Sequence, residues 1–213
     1  EMGDMAAQLS RGGSGSDGIR PKVARHIKAI NSRFSPGRQE DAHEFVIFFL
    51  EAAIKACLGK PPSTKSDLKA EMATPVHGIF GGKLKSCVSC RSCGHDSVTV
   101  DPALGLSLEL HSGTDSVEDA LDEFTALEQL DAQNQYKCEK CKRPVRATKQ
   151  FSLAAAPPAL VIHLKRFDFG GGGGGGMMGG RGGRKISRHI KFRPQLNLGT
   201  YLRKASAGTT ANR

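Results

Sequence analysis

No run of about eighteen apolar residues occurs in the 213-residue chain, so the sequence offers no candidate for a membrane-spanning helix. Its opening residues do not read as a signal peptide. Acidic residues are in short supply. Asp and Glu number 21 against 31 Lys and Arg, which leaves a net charge of +10. That surplus points to an acidic partner such as nucleic acid, to a nuclear or nucleolar address, or to a plain solvated basic surface. Widely spread cysteines are missing too. Of the six, only Cys57 lies outside two tight clusters, a pattern that argues against a secreted disulfide scaffold and for metal in a reducing compartment. A hydrophobic content of 38% is enough for a core, and a charged content of 24% excludes disorder throughout. The length allows one large domain or two small ones. The chain opens on Glu1 and closes on Ala211-Asn212-Arg213, so it is expected to be a fragment of a longer protein.

Met2, Met5, Ala6 and Leu9 form a short helical pattern that gives way to a Gly/Ser-rich loop from Arg11. Pro21 suits a helix first turn, and Val23, Ile27, Ile30 and Phe34 make one apolar stripe that Pro36-Gly37 stops. The next segment begins GRQEDAHEF and carries Ala42, Phe45, Val46, Phe49, Leu50, Ala53 and Cys57 at helical spacing. Gly59 and Pro61-Pro62 end it, and Cys57 is expected to be buried on its apolar face. Residues 60–75 are polar and read as a linker. From Ile79-Phe80-Gly-Gly-Lys-Leu the period becomes that of a strand, and Leu104, Leu106, Leu108 and Leu110 alternate. Ser116 can cap a short helix, with Asp119 closing a capping box and Val117, Ala120, Leu121 and Phe124 inside. Residues 148–153 and 159–167 read as two strands around Pro157-Pro158, and 185–192 as a further one. The glycine run at 170–176 cannot build core. Helices first and strands later predict an α+β fold.

Cys90-Arg-Ser-Cys93 and Cys138-Glu-Lys-Cys141 are two CxxC knuckles. Each places two thiolates on one tight turn, and two such turns complete the tetrahedral set zinc requires. Surrounding lysines and arginines favour the thiolate forms. Four thiolates leave no position for water, so such a zinc is structural. Cys87 creates an overlapping CxxC with Cys90, and spacing alone does not choose between them. A redox CxxC is the competing reading.

Taken in order, GRQEDAHEF, His77-Gly-Ile-Phe-Gly-Gly-Lys-Leu, the two knuckles and Leu164-Lys-Arg-Phe167 resemble the catalytic domain of ubiquitin-specific proteases, papain-like cysteine deubiquitinases. Asp101-Pro102, Glu128-Gln-Leu-Asp131 and Lys185-Ile-Ser-Arg-His extend the likeness. It is closest to a branch that includes nucleolar enzymes. The resemblance implies an incomplete hand of thumb, palm and zinc-bearing fingers. Residues 1–59 would be thumb, 60–75 a linker, 76–169 fingers and palm, 170–184 a Gly-rich insertion, and 185–213 a palm strand and tail. It selects Cys90, Cys93, Cys138 and Cys141 as ligands of a structural zinc and leaves Cys87 out. It also implies that Asp41 and Glu44, at i and i+3 on one helix side, face the C-terminal tail of ubiquitin, with Phe167 lining the same channel. Such charge-assisted bonds contribute on the order of 1.5–3 kcal/mol each. Helix-dipole stabilisation competes as an account of the acids, and core packing as an account of Phe167.

The cysteine and histidine boxes of the family are absent from the chain, and none of its seven histidines stands in a Gly-His-Tyr box. No catalytic residue is therefore assigned. The expectation is the middle segment of a thiol-dependent deubiquitinase that binds the ubiquitin tail but is inactive alone, acting on ubiquitinated proteins in the nucleus, nucleolus or cytoplasm. The alternatives are a catalytically dead ubiquitin-binding module and a basic zinc-ribbon RNA binder. The last draws on Arg181 and Arg184 of the insertion, which also reads as a tolerated flexible loop.

Overall fold

The computed structural model describes residues 26–35, 37, 40–59, 65–131, 133–168 and 184–203. The chain divides into two units, Glu1–Val76 and His77–Arg213. In the first, residues 26–30 are helical, and the helix ends before Phe34. Asn31 ends it: its N–H donates to the Ile27 carbonyl at 3.1 Å, and its own carbonyl accepts from the Phe34 N–H at 3.1 Å. Phe34 then turns inward, 2% exposed, against the rings of Phe45 and Phe48. Val23, Pro21 and the pattern at Met2–Leu9 lie outside the described residues.

Helix α1 (Ala42–Leu58) follows and stops at Gly59, whose φ of 70° is the left-handed cap that glycine accepts without strain. Its buried residues are Leu50, Ala53 and Ile54. Cys57, expected on that buried face, is exposed. Lys55 and Ala56 beside it are exposed as well, so the last turn runs past its packing partners. The stretch read as a linker contains α2 (Lys65–Met72), packed beside α1. Its apolar residues Leu68 and Met72 stay largely exposed, so the helix leaves no apolar stripe in the sequence.

Helix α3 (Pro75–Phe80) corrects a second expectation, since Ile79 and Phe80 are helical rather than extended. Pro75 suits a first helical turn. Gly81 closes the helix by donating to the His77 carbonyl at 2.8 Å. A Cβ there would fall 2.2 Å from His77 Nδ1, so only glycine fits.

The strands of the second unit, in chain order, are β1 (Gly82–Cys90), β2 (Asp96–Ala103), β3 (Leu106–Leu108), β4 (Glu128–Leu130), β5 (Tyr136–Lys137), β6 (Pro144–Val145), β7 (Ala147–Ala155), β8 (Ile162–Leu164), β9 (Phe167–Asp168) and β10 (Arg184–Lys185). Helix α4 (Val117–Phe124) lies between β3 and β4, and α5 (Gly199–Arg203) follows β10. The main sheet has the order β2-β1-β7-β4, antiparallel throughout. β3 pairs β8 in parallel. The segment read as one strand over 159–167 is split into β8, which pairs β3, and β9, which pairs β10. Of the strand expected at 185–192, only Lys185 pairs in β10, together with Arg184. Beyond it Lys191 forms an isolated parallel bridge with Ser116, and the Arg188 guanidinium donates to the carbonyls of Thr114 and His111.

The core joins Leu106, Leu108, Leu110, Ala120, Leu121, Leu153, Ile190 and Tyr201. Ser116 caps α4 as its sequence suggests, accepting from Asp119 N–H at 3.0 Å. The Asp119 carboxylate accepts from Asp115 N–H at 3.2 Å. A hydrogen bond from the Ser116 hydroxyl foremost, and then amide bonds from Asp115 and Ser116, hold the Asp119 carboxyl below its usual range. The architecture is α+β.

Candidate functional site

One end of the main sheet carries the four knuckle cysteines. β1 terminates at Cys90, which stands opposite Ala147 at the start of β7. The two knuckles use one backbone pattern. Cys90 N–H donates to the His95 carbonyl at 2.9 Å, and Gly94 N–H donates to the Cys90 carbonyl at 2.9 Å. In the second, Cys138 N–H donates to the Arg143 carbonyl at 3.2 Å, and Lys142 N–H to the Cys138 carbonyl at 2.8 Å. Both turns need a left-handed residue after the second cysteine. Gly94 supplies it at φ 67°, and Lys142 at φ 57°. Arg91 N–H donates to the Arg146 carbonyl at 3.0 Å and ties the knuckles together.

This register brings the sulfurs together. Cys90 Sγ lies 3.9 Å from Cys141 Sγ, and Cys93 Sγ 3.7 Å from Cys138 Sγ. All four lie within 4.8 Å of one another. Four sulfurs held tetrahedrally at about 2.3 Å from a zinc ion would stand about 3.8 Å apart. The residues present therefore fit the ion. The shortest sulfur contacts, Cys90 to Cys141 and Cys93 to Cys138, run between the knuckles, so all four thiols form one cluster rather than two separate CxxC pairs. Cys90 and Cys138 are buried, and Cys93 and Cys141 are half-buried.

The thiols are unlike one another. Burial pushes Cys90 up, but amide bonds from Cys93 and Ser92 and the thiols of Cys93 and Cys138 outweigh it, and its pKa falls to about 6. Cys141 is pushed up to about 12, first by its bond with Cys93 and then by burial. Thiols this close cannot all ionise without a cation among them. Cys87 stays outside the cluster, half-buried within β1 with its sulfur 3.9 Å from Ser89 Oγ.

The acids of GRQEDAHEF have defined positions. Asp41 is the N-cap of α1, and its Oδ1 accepts from His43 N–H at 2.7 Å and Glu44 N–H at 3.0 Å. Glu40 accepts from Ser35 N–H at 3.2 Å. Glu44 is exposed in the first turn. Two of the three acids thus serve the backbone locally, and Glu44 projects to the surface. The backbone of Phe167 pairs with Lys185; its side chain lies outside the described residues, as does Arg181.

One polar contact escaped the sequence. Ser107 Oγ and His163 Nδ1 are 2.8 Å apart across the parallel pair β3–β8. Strands 56 residues apart leave no local signal of their register. Nearby, a groove of about 450 Å³ runs past Phe124, Phe151, Glu109 and Lys165. Its cations are already engaged: Lys165 bonds Glu109 at 3.0 Å, and Lys149 sits 4.6 Å over the Phe151 ring.

The description "Ubiquitin carboxyl-terminal hydrolase" belongs to a family whose model matches residues 1–213. A curated relative, "Ubiquitin carboxyl-terminal hydrolase 36" of Drosophila mojavensis, is 38% identical over 208 residues, covering 97% of this chain and 16% of the relative. "Probable ubiquitin carboxyl-terminal hydrolase 16" of Schizosaccharomyces pombe is 38% identical over 176 residues, covering 83% of this chain and 36% of the relative. Among solved structures, the "SAGA Ubp8/Sgf11/Sus1/Sgf73 DUB module bound to ubiquitin aldehyde" matches with a TM-score of 0.66 and 28% identity, over 84% of this chain and 36% of that one. The fold and the knuckles are those of a ubiquitin-specific protease domain. The chain belongs to the ubiquitin carboxyl-terminal hydrolase family and spans about a third or less of the length of these relatives.

Proposed function

We propose that this chain is the middle segment of a cysteine-type deubiquitinase. It grips ubiquitin on ubiquitinated proteins, while the nucleophile and base for isopeptide hydrolysis come from outside the segment. The observation that carries this reading is the four-cysteine centre, set at the end of the β1–β7 sheet in a chain matched along its whole length by the hydrolase family. The solved relative bound to ubiquitin aldehyde supports it. Cys90, Cys93, Cys138 and Cys141 would hold a structural zinc, which supplies cohesion and no chemistry because its sphere is closed. Cys87 and Cys57 remain, one within a strand and one in the last turn of a helix, and no residue of the chain is assigned as catalytic. The setting is an intracellular one, in the nucleus or cytoplasm.

The tail of ubiquitin carries arginines, and Glu44 is the acid that meets one of them. Asp41 has a double role, capping α1 through Oδ1 and adding its charge to the same helix end. Phe167 lines the channel. These roles separate by choice of variant. Asn caps as well as Asp does, so Asp41→Asn removes charge without removing the cap. Asp41→Asn and Glu44→Gln should each weaken ubiquitin binding about tenfold or more, with the melting temperature unchanged. Unchanged affinity in both would remove the tail-binding role. The enzymatic reading is tested on the full-length protein with ubiquitin bearing a C-terminal electrophile. A covalent adduct supports it. Ubiquitin binding without an adduct would establish the inactive binding module instead.

A further inference from the structure

The end of the sheet that carries the knuckles also carries charge that neither the metal nor the ubiquitin reading uses. Arg91, Lys137, Lys140, Lys142, Arg143 and Arg146 are all exposed. They sit on two turns joined by the Arg91–Arg146 backbone bond, the second closed by the pairing of Lys137 with Pro144. The ion pairs seen in this unit engage His111, Lys165 and Arg193 and none of these six. Glu139, Asp96 and Asp131, the last following Leu130 where it pairs with Ala147, oppose them locally. A four-thiolate zinc centre adds two net negative charges, held by buried and half-buried sulfurs, so the exposed surface itself carries six cations against three acids.

We infer that this knuckle surface binds the phosphodiester backbone of a nucleic acid. Protein interfaces centre on apolar and aromatic anchors and are poor in lysine. Here the reverse holds. The large exposed hydrophobic residues of the described chain, such as Val98, Leu127 and Phe192, lie outside both turns, while lysine and arginine dominate them. Electrostatic attraction to a dense polyanion needs no apolar anchor. Among the described residues neither a groove-sized helix nor an exposed aromatic platform stands at this end, so binding reads charge and not base sequence. The inference is independent of deubiquitinase activity.

The test uses the zinc-loaded chain with a fluorescein-labelled 20-base-pair DNA duplex and a labelled uridine 20-mer, followed by anisotropy from 50 to 200 mM salt. The variant Lys140→Gln/Lys142→Gln/Arg143→Gln is compared with a charge-matched variant of the first unit, Lys28→Gln/Lys55→Gln/Lys69→Gln. Three lost phosphate contacts should flatten the slope of log affinity against log salt by about 2.7 for duplex and about 2 for the single strand. Across that salt range the unaltered chain then loses about 40-fold more duplex affinity than the knuckle variant. The charge-matched variant should keep the full slope. A duplex-only or single-strand-only response identifies the source of the phosphates. If the knuckle variant sheds zinc, Lys140→Gln alone should lower the slope by about one. Equal loss in both triple variants, no binding at 50 mM salt, or binding to polyglutamate but to neither nucleic acid would overturn the inference.

Discussion

Strand β7 connects two regions held together by different means. Toward its C-terminal end Leu153 enters a core of eight buried residues, with Leu108 and Leu121 wholly enclosed. At its N-terminal end Ala147 meets a cluster whose buried members are only Cys90, Cys138 and Val145. The first region is stabilised by apolar surface removed from water, at roughly 25 cal/mol per Å². The second has too little apolar surface for that, and its two knuckles carry mutually repelling cations. A shared metal ion is the physical substitute for a core at that end. The same β-ladder is therefore expected to span a region that tolerates a chelator and one that does not.

The largest expected effect comes from removing that substitute. A strong chelator, or Cys138→Ser, should abolish amide hydrogen-exchange protection over residues 90–96 and 136–147, while amides flanking Leu108 and Leu121 stay protected. Loss of protection in both regions together would show that the sheet has one source of stability. The converse variant, Leu121→Ala, should cost about 3 to 5 kcal/mol in denaturant unfolding and leave the zinc stoichiometry unchanged.

A smaller effect separates capping from charge at α1. Asp41→Ala should destabilise the helical unit by about 1 kcal/mol, and Asp41→Asn by no more than a few tenths. Equal losses would mean that the helix end responds to charge and not to the two amide bonds. The knuckle turn should respond on the same scale. Lys142→Gly should raise the melting temperature of the zinc-loaded chain by relieving a left-handed residue worth about 1 kcal/mol, and Gly94→Ala should lower it by a similar amount. A symmetric response would confirm that the two knuckles are one backbone motif used twice.

What the sequence revealed follows the range of the interactions. The knuckles, the Gly59 stop, the Ser116 cap and the buried alternation of Leu106, Leu108 and Leu110 depend on residues a few positions apart, and each was legible. The Asp41 cap shows the limit of that reading. Its place at a helix start was plain, yet the sequence did not separate an acid facing a ligand from one binding the amides of His43 and Glu44. Helix α2 was missed because it buries little apolar surface. Ile79 and Phe80 were misread because a short apolar run fits helix and strand equally, and the close approach of Gly81 to His77 decides it. The parallel β3–β8 pair and the Arg188 clamp join distant segments, and no window of sequence contains both partners.

Four particular cysteines are expected to share one ion that holds the far end of the sheet. Zinc analysis of the purified chain combined with thiol titration under native conditions tests it most directly. The account requires one zinc per chain and two reactive thiols, Cys57 and Cys87, with the other four of the six released only on chelation. Six reactive thiols in a folded, zinc-free chain would contradict it.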